Sequence, residues 1–456
     1  MKGTDGWSFA PYTPLHRPER AEGPYITRLA PFAGGFEADI INNSLPGSAH
    51  TVYYGKRGSD APTAVSARDT VRIEGLEDDT DYELFARDLR GRCSSRRLVR
   101  TGEVPGEVIN YLHPEDEEFS FSGRYLCSPS LLRLPSGTLL SSMDVFAPEA
   151  PQNLTLLYES RDGGAHWRYV ADLFPCFWGK LFMAKGALYM LAVSDEYGDL
   201  LIGRSEDEGR TWSAPSVILR GSSNSREIGV HRAPMPLLLH NGVFYTDFQY
   251  GAWNKNVFYT GVLSVREDAD LLDPAAWTVS GLWDPLKEPG IVRPGGIEGN
   301  IVAGPDGRLY DFMRYKRGEA LVLSFDPQDP EKAPVFDRVA AFPSVDSKFN
   351  VIFDSVSGKY ISLVNYDAKI PRTTRNLLSL VWSEDLKDWR LGSHIIDRSY
   401  MDPGKVAFQY TDFFIEGGDI LFQSRTAMNG AHNFHDADFA TFHRLPGFRS
   451  RLEKPV

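Results

Sequence analysis

Short apolar runs of strand length, separated by clusters of Gly, Pro, Asn and Asp, follow one another along most of the chain. Near the start these runs include Tyr25–Leu29, Thr51–Tyr54 and Thr70–Ile73. Runs rich in β-branched and aromatic residues at this spacing are typical of small antiparallel sandwiches. We therefore predict a β-sandwich over residues 20–104.

A glycine turn followed by an apolar strand recurs in the rest of the chain. The turn glycines are Gly137, Gly186, Gly242, Gly307, Gly358 and Gly418. A Ser or Thr position follows each turn, at Ser160, Ser205, Ser264, Ser324, Ser383 and Thr441. Two registers in phase indicate a repeated four-stranded unit, so we predict a six-bladed β-propeller over residues 105–456. Glu107–Tyr111 is expected to close the ring beside the last strand near Thr441–Arg444.

Length and composition agree with an all-β chain of two domains. The 456 residues exceed what one core usually organises, and 41 glycines, 30 prolines and 12% aromatics suit short strands joined by tight turns. The net charge of -12 is spread without acidic or basic blocks, which argues against a nucleic-acid partner.

The termini and cysteines carry few signals. Met1–Pro11 lacks the apolar core of a secretory signal, and no later segment is apolar enough to cross a membrane. We therefore expect a cytoplasmic protein with no membrane partner. Cys93, Cys127 and Cys176 are odd in number and widely spaced, so a disulfide framework is not expected.

Recurring tryptophan motifs bring the first resemblance. Ser160–Trp167 and Ser205–Trp212 both read S-x-D-x-G-x-x-W, Ser383–Trp389 is a shortened form and Ser264–Trp277 a stretched one. These segments resemble the Asp-box (BNR repeat) of sialidase-type propellers. The resemblance implies a structural turn between the third and fourth strands of a blade, where the aspartate binds turn amides and the tryptophan packs between blades.

The first domain carries a second resemblance. Leu76–Tyr82 reads L-x-x-x-T-x-Y and is similar to the tyrosine corner of fibronectin type III modules, in which the hydroxyl bonds a backbone group. We expect a packing or spacer role for this domain, with carbohydrate binding as the alternative.

Inner strands of a propeller run the same way, so their first residues and the ends of the strands paired to them meet at one opening. The expected residues are Cys127, Ser128, Trp178, Lys180, His231, Arg232, Glu298, Asn300, Lys348, Asn350, Gln409, Tyr410, Asp144, Glu196, Asp247, Tyr250, Arg314, Asn365 and Arg425. So polar a ring predicts a ligand site, because buried charges are costly unless they are matched.

Three segments at this opening resemble exo-sialidases. Glu298–Val302 with Arg314 is similar to the family's catalytic glutamate and an arginine, Arg375–Leu377 to the setting of another arginine, and Tyr410–Phe413 to the nucleophile strand. The resemblance implies that Tyr410 is a nucleophile, that Glu298 is its base, and that Arg314 and Arg375 bind the substrate's acid group.

Two parts of the sialidase pattern are missing. Leu126–Leu131 has no arginine where the family has R-I-P, and no aspartate stands near Gln152 and Asn153, where the family has its acid/base group. Asp144 is the nearest substitute. The chain is therefore expected to release another terminal acidic sugar or deoxysugar from an oligosaccharide or polysaccharide.

Histidines keep a second chemistry open. His231 or Tyr410 suits the base of a lyase on uronate oligosaccharides, with Arg314 on the carboxylate. Further substrate-binding candidates are Arg232, Arg425, Lys180, Trp178, Tyr250, Asn300, Lys348 and His435. His432, His435 and Asp436 match no helix-borne ligand pair, so we expect a loop-ordering network, no metal and no cofactor. A third alternative is a carbohydrate-binding propeller without catalysis.

Overall fold

The computed structural model describes residues 13–14, 21–148, 150–222, 227–369 and 374–452. Met1–Pro11 and residue 20, where the predicted first domain begins, lie outside them. The protein is nearly all β, as predicted. The described residues also contain short 3-10 helices at Trp253–Lys255, Pro274–Ala276, Pro285–Lys287 and Phe448–Arg451. None of the helices in this part of the chain has the length and apolar character needed to span a bilayer.

Two antiparallel sheets at the start share one core. With strands numbered in chain order, one sheet contains β2 (Tyr25–Phe32), β3 (Gly35–Ile41) and β6 (Thr70–Glu74) in the order β2-β3-β6. The other contains β4 (His50–Lys56), β5 (Thr63–Ala67), β7 (Asp81–Arg87) and β8 (Arg97–Arg100) in the order β5-β4-β7-β8. Alternate residues of β7, Tyr82, Leu84 and Ala86, are buried in that core.

The tyrosine of the corner motif makes the expected bond. The Tyr82 hydroxyl accepts a hydrogen bond from the backbone N–H of Glu77 at 3.0 Å. Arg28 attaches this part of the protein to the rest, because its Nε and Nη2 donate to the carbonyls of Ile109 and Val108 at 2.9 and 2.8 Å. The fibronectin type III assignment and the domain boundary stay predictions.

Six further antiparallel sheets follow. The first contains β1 (Thr13–Pro14), β13 (Arg168–Phe174), β12 (Leu154–Ser160), β11 (Leu139–Phe146) and β10 (Tyr125–Arg133). The second contains β14 (Phe177–Ala184), β15 (Ala187–Val193), β16 (Leu200–Ser205) and β17 (Ser216–Leu219). The third contains β18 (Gly229–His231), β19 (Leu238–His240), β20 (Val243–Ala252), β21 (Val257–Arg266) and β22 (Thr278–Val279), with β18 and β19 both paired to β20.

The remaining three sheets have four strands each. The fourth contains β23 (Ile297–Ala303), β24 (Leu309–Lys316), β25 (Glu319–Phe325) and β26 (Val335–Ala341). The fifth contains β27 (Val351–Asp354), β28 (Lys359–Asn365), β29 (Leu377–Ser383) and β30 (Trp389–Asp397). The sixth contains β31 (Ala407–Glu416), β32 (Asp419–Ala427), β33 (Phe439–Leu445) and β9 (Glu107–Tyr111). The predicted pairing of Glu107–Tyr111 with the last strand is therefore present, since β9 lies against β33.

The repeated motifs lie in corresponding turns. Five of the turn glycines lie between the first two strands of their sheets, and Gly242 lies between β19 and β20 of the third sheet. In the sixth sheet Gly417, rather than Gly418, has positive φ. The Ser160 and Ser205 motifs lie between the third and fourth strands. In the first motif, Asp162 accepts from the backbone N–H of His166 at 3.0 Å and the Trp167 indole donates to the Gly164 carbonyl at 3.0 Å.

Candidate functional site

The same irregularity occurs near the start of the first strand in four sheets. The pairing register shifts in β10, β14, β23 and β31, and at each shift a non-glycine residue has left-handed backbone, Ser128, Trp178, Glu298 and Tyr410 with φ of 52°, 52°, 54° and 55°. This is a β-bulge, which redirects a side chain at the edge of a sheet.

Polar side chains of neighbouring strands hold two of these bulges, those at Trp178 and Glu298. Asp144 at the end of β11 accepts the backbone N–H of Trp178 at 2.6 Å. Asp247 in β20 accepts the N–H of Gly299 at 2.8 Å, and Gln249 accepts that of Glu298 at 3.2 Å. Asp144 is fully buried, and this burial raises its pKa from 3.8 to about 7. The buried carboxyl groups of Asp144 and Asp247 therefore support the bulges at Trp178 and Glu298.

All four bulge residues line one cavity of about 760 Å³. The predicted site residues among its lining are Trp178, His231, Glu298, Arg314, Arg375, Tyr410, Arg425 and His435. Their convergence follows from the repeat, because the bulge occupies the same place in each of these sheets. Their roles in catalysis and binding stay predictions.

Five predicted substrate-binding residues do not line this cavity. Lys180 and Asn300 lie two residues beyond a bulge, and a strand advances about 3.3 Å per residue, so they are carried away from the opening. Lys180 Nζ is paired with Asp412 Oδ2 at 2.5 Å, and Asn300 Nδ2 donates to the Phe349 carbonyl at 3.1 Å. The Lys180 pair links the second sheet to the sixth, and the Asn300 bond links the fourth sheet to the segment before β27.

The other three predicted residues that do not line the cavity are Lys348, Arg232 and Tyr250. Lys348 Nζ donates to Asn350 Oδ1 at 3.0 Å, and burial lowers its pKa to about 8. Arg232 is 1% exposed, and its Nη2 donates to the carbonyl of Met235 at 2.9 Å, where the first strand of the third sheet is interrupted. Tyr250 lines a separate cavity of about 550 Å³. The structure therefore places none of these five residues in the lining of the cavity, and their roles in substrate binding stay predictions.

Arg314 joins the two residues with proposed catalytic roles. Its Nη1 lies 2.9 Å from Glu298 Oε2 and 3.0 Å from the Tyr410 hydroxyl oxygen, and its Nε lies 2.7 Å from Asp346 Oδ1. Arginine only donates hydrogen bonds, so the Tyr410 oxygen accepts here and its own proton is directed elsewhere. Burial lowers the pKa of Arg314, but Tyr410, Glu298 and Asp346 outweigh burial and raise it overall.

Three guanidinium groups surround the Tyr410 ring. The distances from the Tyr410 ring centroid to the guanidinium carbon Cζ are 5.9 Å for Arg314, 5.2 Å for Arg375 and 5.1 Å for Arg425. Arg375 donates to Gln409 Oε1 and to the Asp346 carbonyl at 2.6 and 2.7 Å.

Two of these cations lack an anionic partner. Among the described residues, neither Arg375 nor Arg425 is paired with a carboxylate, whereas Arg314 has two. The pKa of Arg375 is lowered by burial and further by Arg314 and Arg425, against the effect of Tyr410. Unmatched buried cations are costly, so this part of the cavity is suited to an anion.

His231 has a defined tautomer. The Gln249 amide is oriented by its Nε2, which donates to Asp247 Oδ2 at 2.5 Å, and its Oε1 already accepts from the N–H of Glu298. His231 Nδ1 lies 3.3 Å from this Oε1 and must be the donor, which leaves the lone pair on Nε2. Burial lowers the pKa of His231 to about 4, so the ring is neutral above that pH.

Aromatic rings from the second and third sheets also line the cavity. The Trp178 ring lies 4.6 Å from His231 and 4.9 Å from Phe177. Trp253 also lines the cavity and is 47% exposed. Flat exposed rings beside a polar cluster suit the apolar face of a sugar ring.

The loop between β32 and β33 is ordered by its own polar groups. Asn433 Oδ1 accepts the N–H groups of His435 and Asp436 at 2.7 and 2.8 Å, and Asp436 Oδ2 lies 2.7 Å from His432 Nδ1. This is the loop-ordering network that the sequence predicted. Arg425 and burial lower the pKa of His435 to about 4.

Glu196 and Gln152 also line the cavity and were given no role from the sequence. Gln152 Nε2 donates to Glu196 Oε2 at 3.2 Å. Glu196 was among the residues expected near the opening, and this placement was the signal that could have identified it. Gln152 stands where the resemblance led us to look for an aspartate. The carboxyl group that lines the cavity belongs instead to the hydrogen-bond partner of Gln152, Glu196.

Comparison with known proteins gives the fold. No protein-family model matches the chain, and no curated protein matches it. A Hadza microbial sialidase is 13% identical with a TM-score of 0.52, covering 93% of this chain and 94% of its own. The leech intramolecular trans-sialidase is 11% identical with a TM-score of 0.50, covering 95% and 93%. The fold is that of a sialidase-like propeller.

A polysaccharide lyase acting on ulvan is also similar to this sialidase-like chain. It is 11% identical with a TM-score of 0.45 and covers 83% of this chain and 92% of its own. At 13% and 11% identity the two sialidase structures show the fold alone, so the chemistry of this chain has to be argued from the cavity.

Proposed function

We propose that this chain is a glycoside hydrolase that releases a terminal acidic sugar or deoxysugar from an oligosaccharide. The observation that carries the proposal is the cluster of Arg314, Arg375 and Arg425 around Tyr410, in which two cations lack a carboxylate partner among the described residues. A sugar carboxylate supplies the missing negative charge. Arg425, from the sixth sheet, takes the place of the arginine absent near Ser128.

The architecture proposed with this function is a ring of six Asp-box-containing blades preceded by a fibronectin type III-like module. The six sheets and the closing pair of β9 and β33 support it. The equivalent places of the Ser160 and Ser205 motifs between third and fourth strands support the Asp-box assignment.

In the proposed reaction, Tyr410 attacks the anomeric carbon while Glu298 takes the phenol proton. Arg314 holds both oxygens, so the nucleophile and its base share one donor. The guanidinium groups fix the sugar carboxylate beside the reacting carbon, which makes attack effectively intramolecular.

The test uses methylumbelliferyl glycosides of sialic acid, of a deoxyulosonic acid and of glucuronic acid, with release of the fluorophore as readout. Tyr410→Phe should abolish turnover while the released sugar still binds by calorimetry. Tyr250→Phe is the matched control, because Tyr250 lies outside the cavity and should keep wild-type turnover. Turnover retained by Tyr410→Phe overturns the role of the phenol, and no release from any glycoside by the wild-type protein overturns the hydrolase.

A lyase on uronate oligosaccharides is the second candidate, favoured by the free Nε2 of His231. His231 would take the C5 proton, the C4–O bond would break, a C4–C5 double bond would form and the leaving oxygen would gain a proton. Ultraviolet absorbance of the unsaturated uronate on incubation with uronate polysaccharides reports this reaction. If one of these sugars binds but neither fluorophore release nor ultraviolet absorbance is seen, the chain is a carbohydrate-binding propeller without catalysis.

A further inference from the structure

Two carboxyl side chains line the cavity within the described part of the chain, Glu196 and Glu298. They have different partners. Glu298 is paired with Arg314 at 2.9 Å. Glu196 accepts from the neutral amide of Gln152 at 3.2 Å and from the hydroxyl of Tyr197. A carboxyl group with neutral partners can carry a proton at lower cost than one paired with a cation.

Glu196 lies in a loop that neighbouring segments hold in place. The loop joins β15 to β16, and the Tyr197 hydroxyl accepts the backbone N–H of Trp253 at 3.2 Å. The Tyr197 carbonyl accepts the N–H of Ser222 at 2.8 Å. Burial raises the pKa of Glu196, the bonds from Tyr197 and Gln152 oppose this, and Asp195 adds to it, with a net shift upward.

The cavity has two chemically different parts. The arginines come from the fourth, fifth and sixth sheets, whereas Glu196 and Trp178 come from the second. A sugar whose carboxylate lies among the arginines therefore directs its leaving group toward the aromatic part. Glu196 is the carboxyl group on that side.

We propose that Glu196 is the general acid that protonates the leaving oxygen, with Gln152 as its positioning residue. This proposal rests on the proposed hydrolase function. In the first step the glycosidic C–O bond breaks, its oxygen takes the proton of Glu196, and the Tyr410 oxygen bonds to the anomeric carbon. In the second step water attacks that carbon, gives a proton to Glu196 and releases Tyr410, which regains its proton from Glu298.

The test compares two glycosides of the same acidic sugar, one with a methylumbelliferyl leaving group and one with a methyl leaving group. The measured quantity is kcat/KM, which covers the steps up to loss of the leaving group. A general acid is worth about 10²–10⁴-fold in rate when the leaving group is poor. Glu196→Gln should therefore lose about that factor on the methyl glycoside and less than about tenfold on the methylumbelliferyl glycoside.

Glu206→Gln is the matched control, because it makes the same change at an exposed glutamate that does not line the cavity. It should change both substrates by the same small factor. Equal losses on both substrates in Glu196→Gln overturn the proposal, and retained activity on the methylumbelliferyl glycoside shows that this variant is folded. If the wild-type protein hydrolyses neither glycoside, the hydrolase function itself has failed, which is a separate outcome.

Discussion

Arg314 and Arg425 differ in their partners, so removing their charges should change the free energy of unfolding by very different amounts. Arg314 is paired with Glu298 and Asp346. Arg425 lies over the Phe146 ring at 4.7 Å and donates to the carbonyl of His435. Its buried Nε has no hydrogen-bond partner among the residues that the structure describes. Replacing each by methionine keeps the length of the side chain and removes the charge.

The expected stability changes follow from these contacts. Arg314→Met leaves Glu298 buried without its cation, and breaking a buried pair costs about 3–5 kcal/mol. Arg425→Met loses a charged hydrogen bond worth about 1.5–3 kcal/mol and a cation–π contact worth about 0.5–2 kcal/mol. It also removes a desolvation cost of several kcal/mol, so the free energy of unfolding should stay within about 1 kcal/mol of wild type.

Urea unfolding of the two variants measures these changes, with Arg161→Met as control because Arg161 is exposed and should shift the free energy of unfolding by less than about 0.5 kcal/mol. On the proposed substrate, Arg425→Met should lose about 10–150-fold in kcat/KM, since one charged hydrogen bond to the carboxylate is worth about 1.5–3 kcal/mol. If Arg425→Met is destabilised as strongly as Arg314→Met, then Arg425 serves the scaffold and the reasoning is refuted.

Three further predictions concern the supports of the site. Asp144 has a folded pKa of about 7 against 3.8, so its ionisation should cost stability as pH rises from about 4 to about 7. Over this range the free energy of unfolding of wild type should fall by up to about 4 kcal/mol relative to that of Asp144→Asn, and parallel urea profiles would contradict this. Gly164→Ala should lower the melting temperature more than Gly163→Ala, because its Cβ would lie 2.0 Å from the Phe442 ring whereas Gly163 faces open space. In Arg425→Met, NMR titration should show the pKa of His435 rising from about 4 toward 6.5, and an unchanged value would exclude the charge of Arg425 as its main cause.

Much of the fold could be predicted because it rests on local signals. The turn glycines and the Ser160 and Ser205 motifs each follow from a few adjacent residues, and the pairing of Glu107–Tyr111 follows from a last repeat that ends after its third strand. The sequence predicted Gly418 as the turn glycine of the sixth sheet, but Gly417 has the left-handed backbone. Either glycine can take that conformation, and only the register of β31 against β32 decides which one does.

The site was predictable in part for a different reason. Counting along the strands brought Trp178, Glu298 and Tyr410 to the opening, and it also brought Lys180 and Asn300 there as first residues of inner strands. The bulges separate the two groups, and those at Trp178 and Glu298 depend on Asp144, Asp247 and Gln249 of other strands, which no local pattern reveals. Likewise, the resemblance directed attention to an aspartate near Gln152 and away from Glu196.

The repeated bulge also bears on how such a site can evolve. Ser128, Trp178, Glu298 and Tyr410 occupy equivalent places and share a left-handed backbone, although their side chains have little in common. Duplication of an ancestral repeat would therefore have supplied four ready positions around one opening before any of them had a chemical role. Single codon changes at these positions can then exchange a hydroxyl, an indole, a carboxylate or a phenol while the ring that carries them keeps its hydrogen bonds.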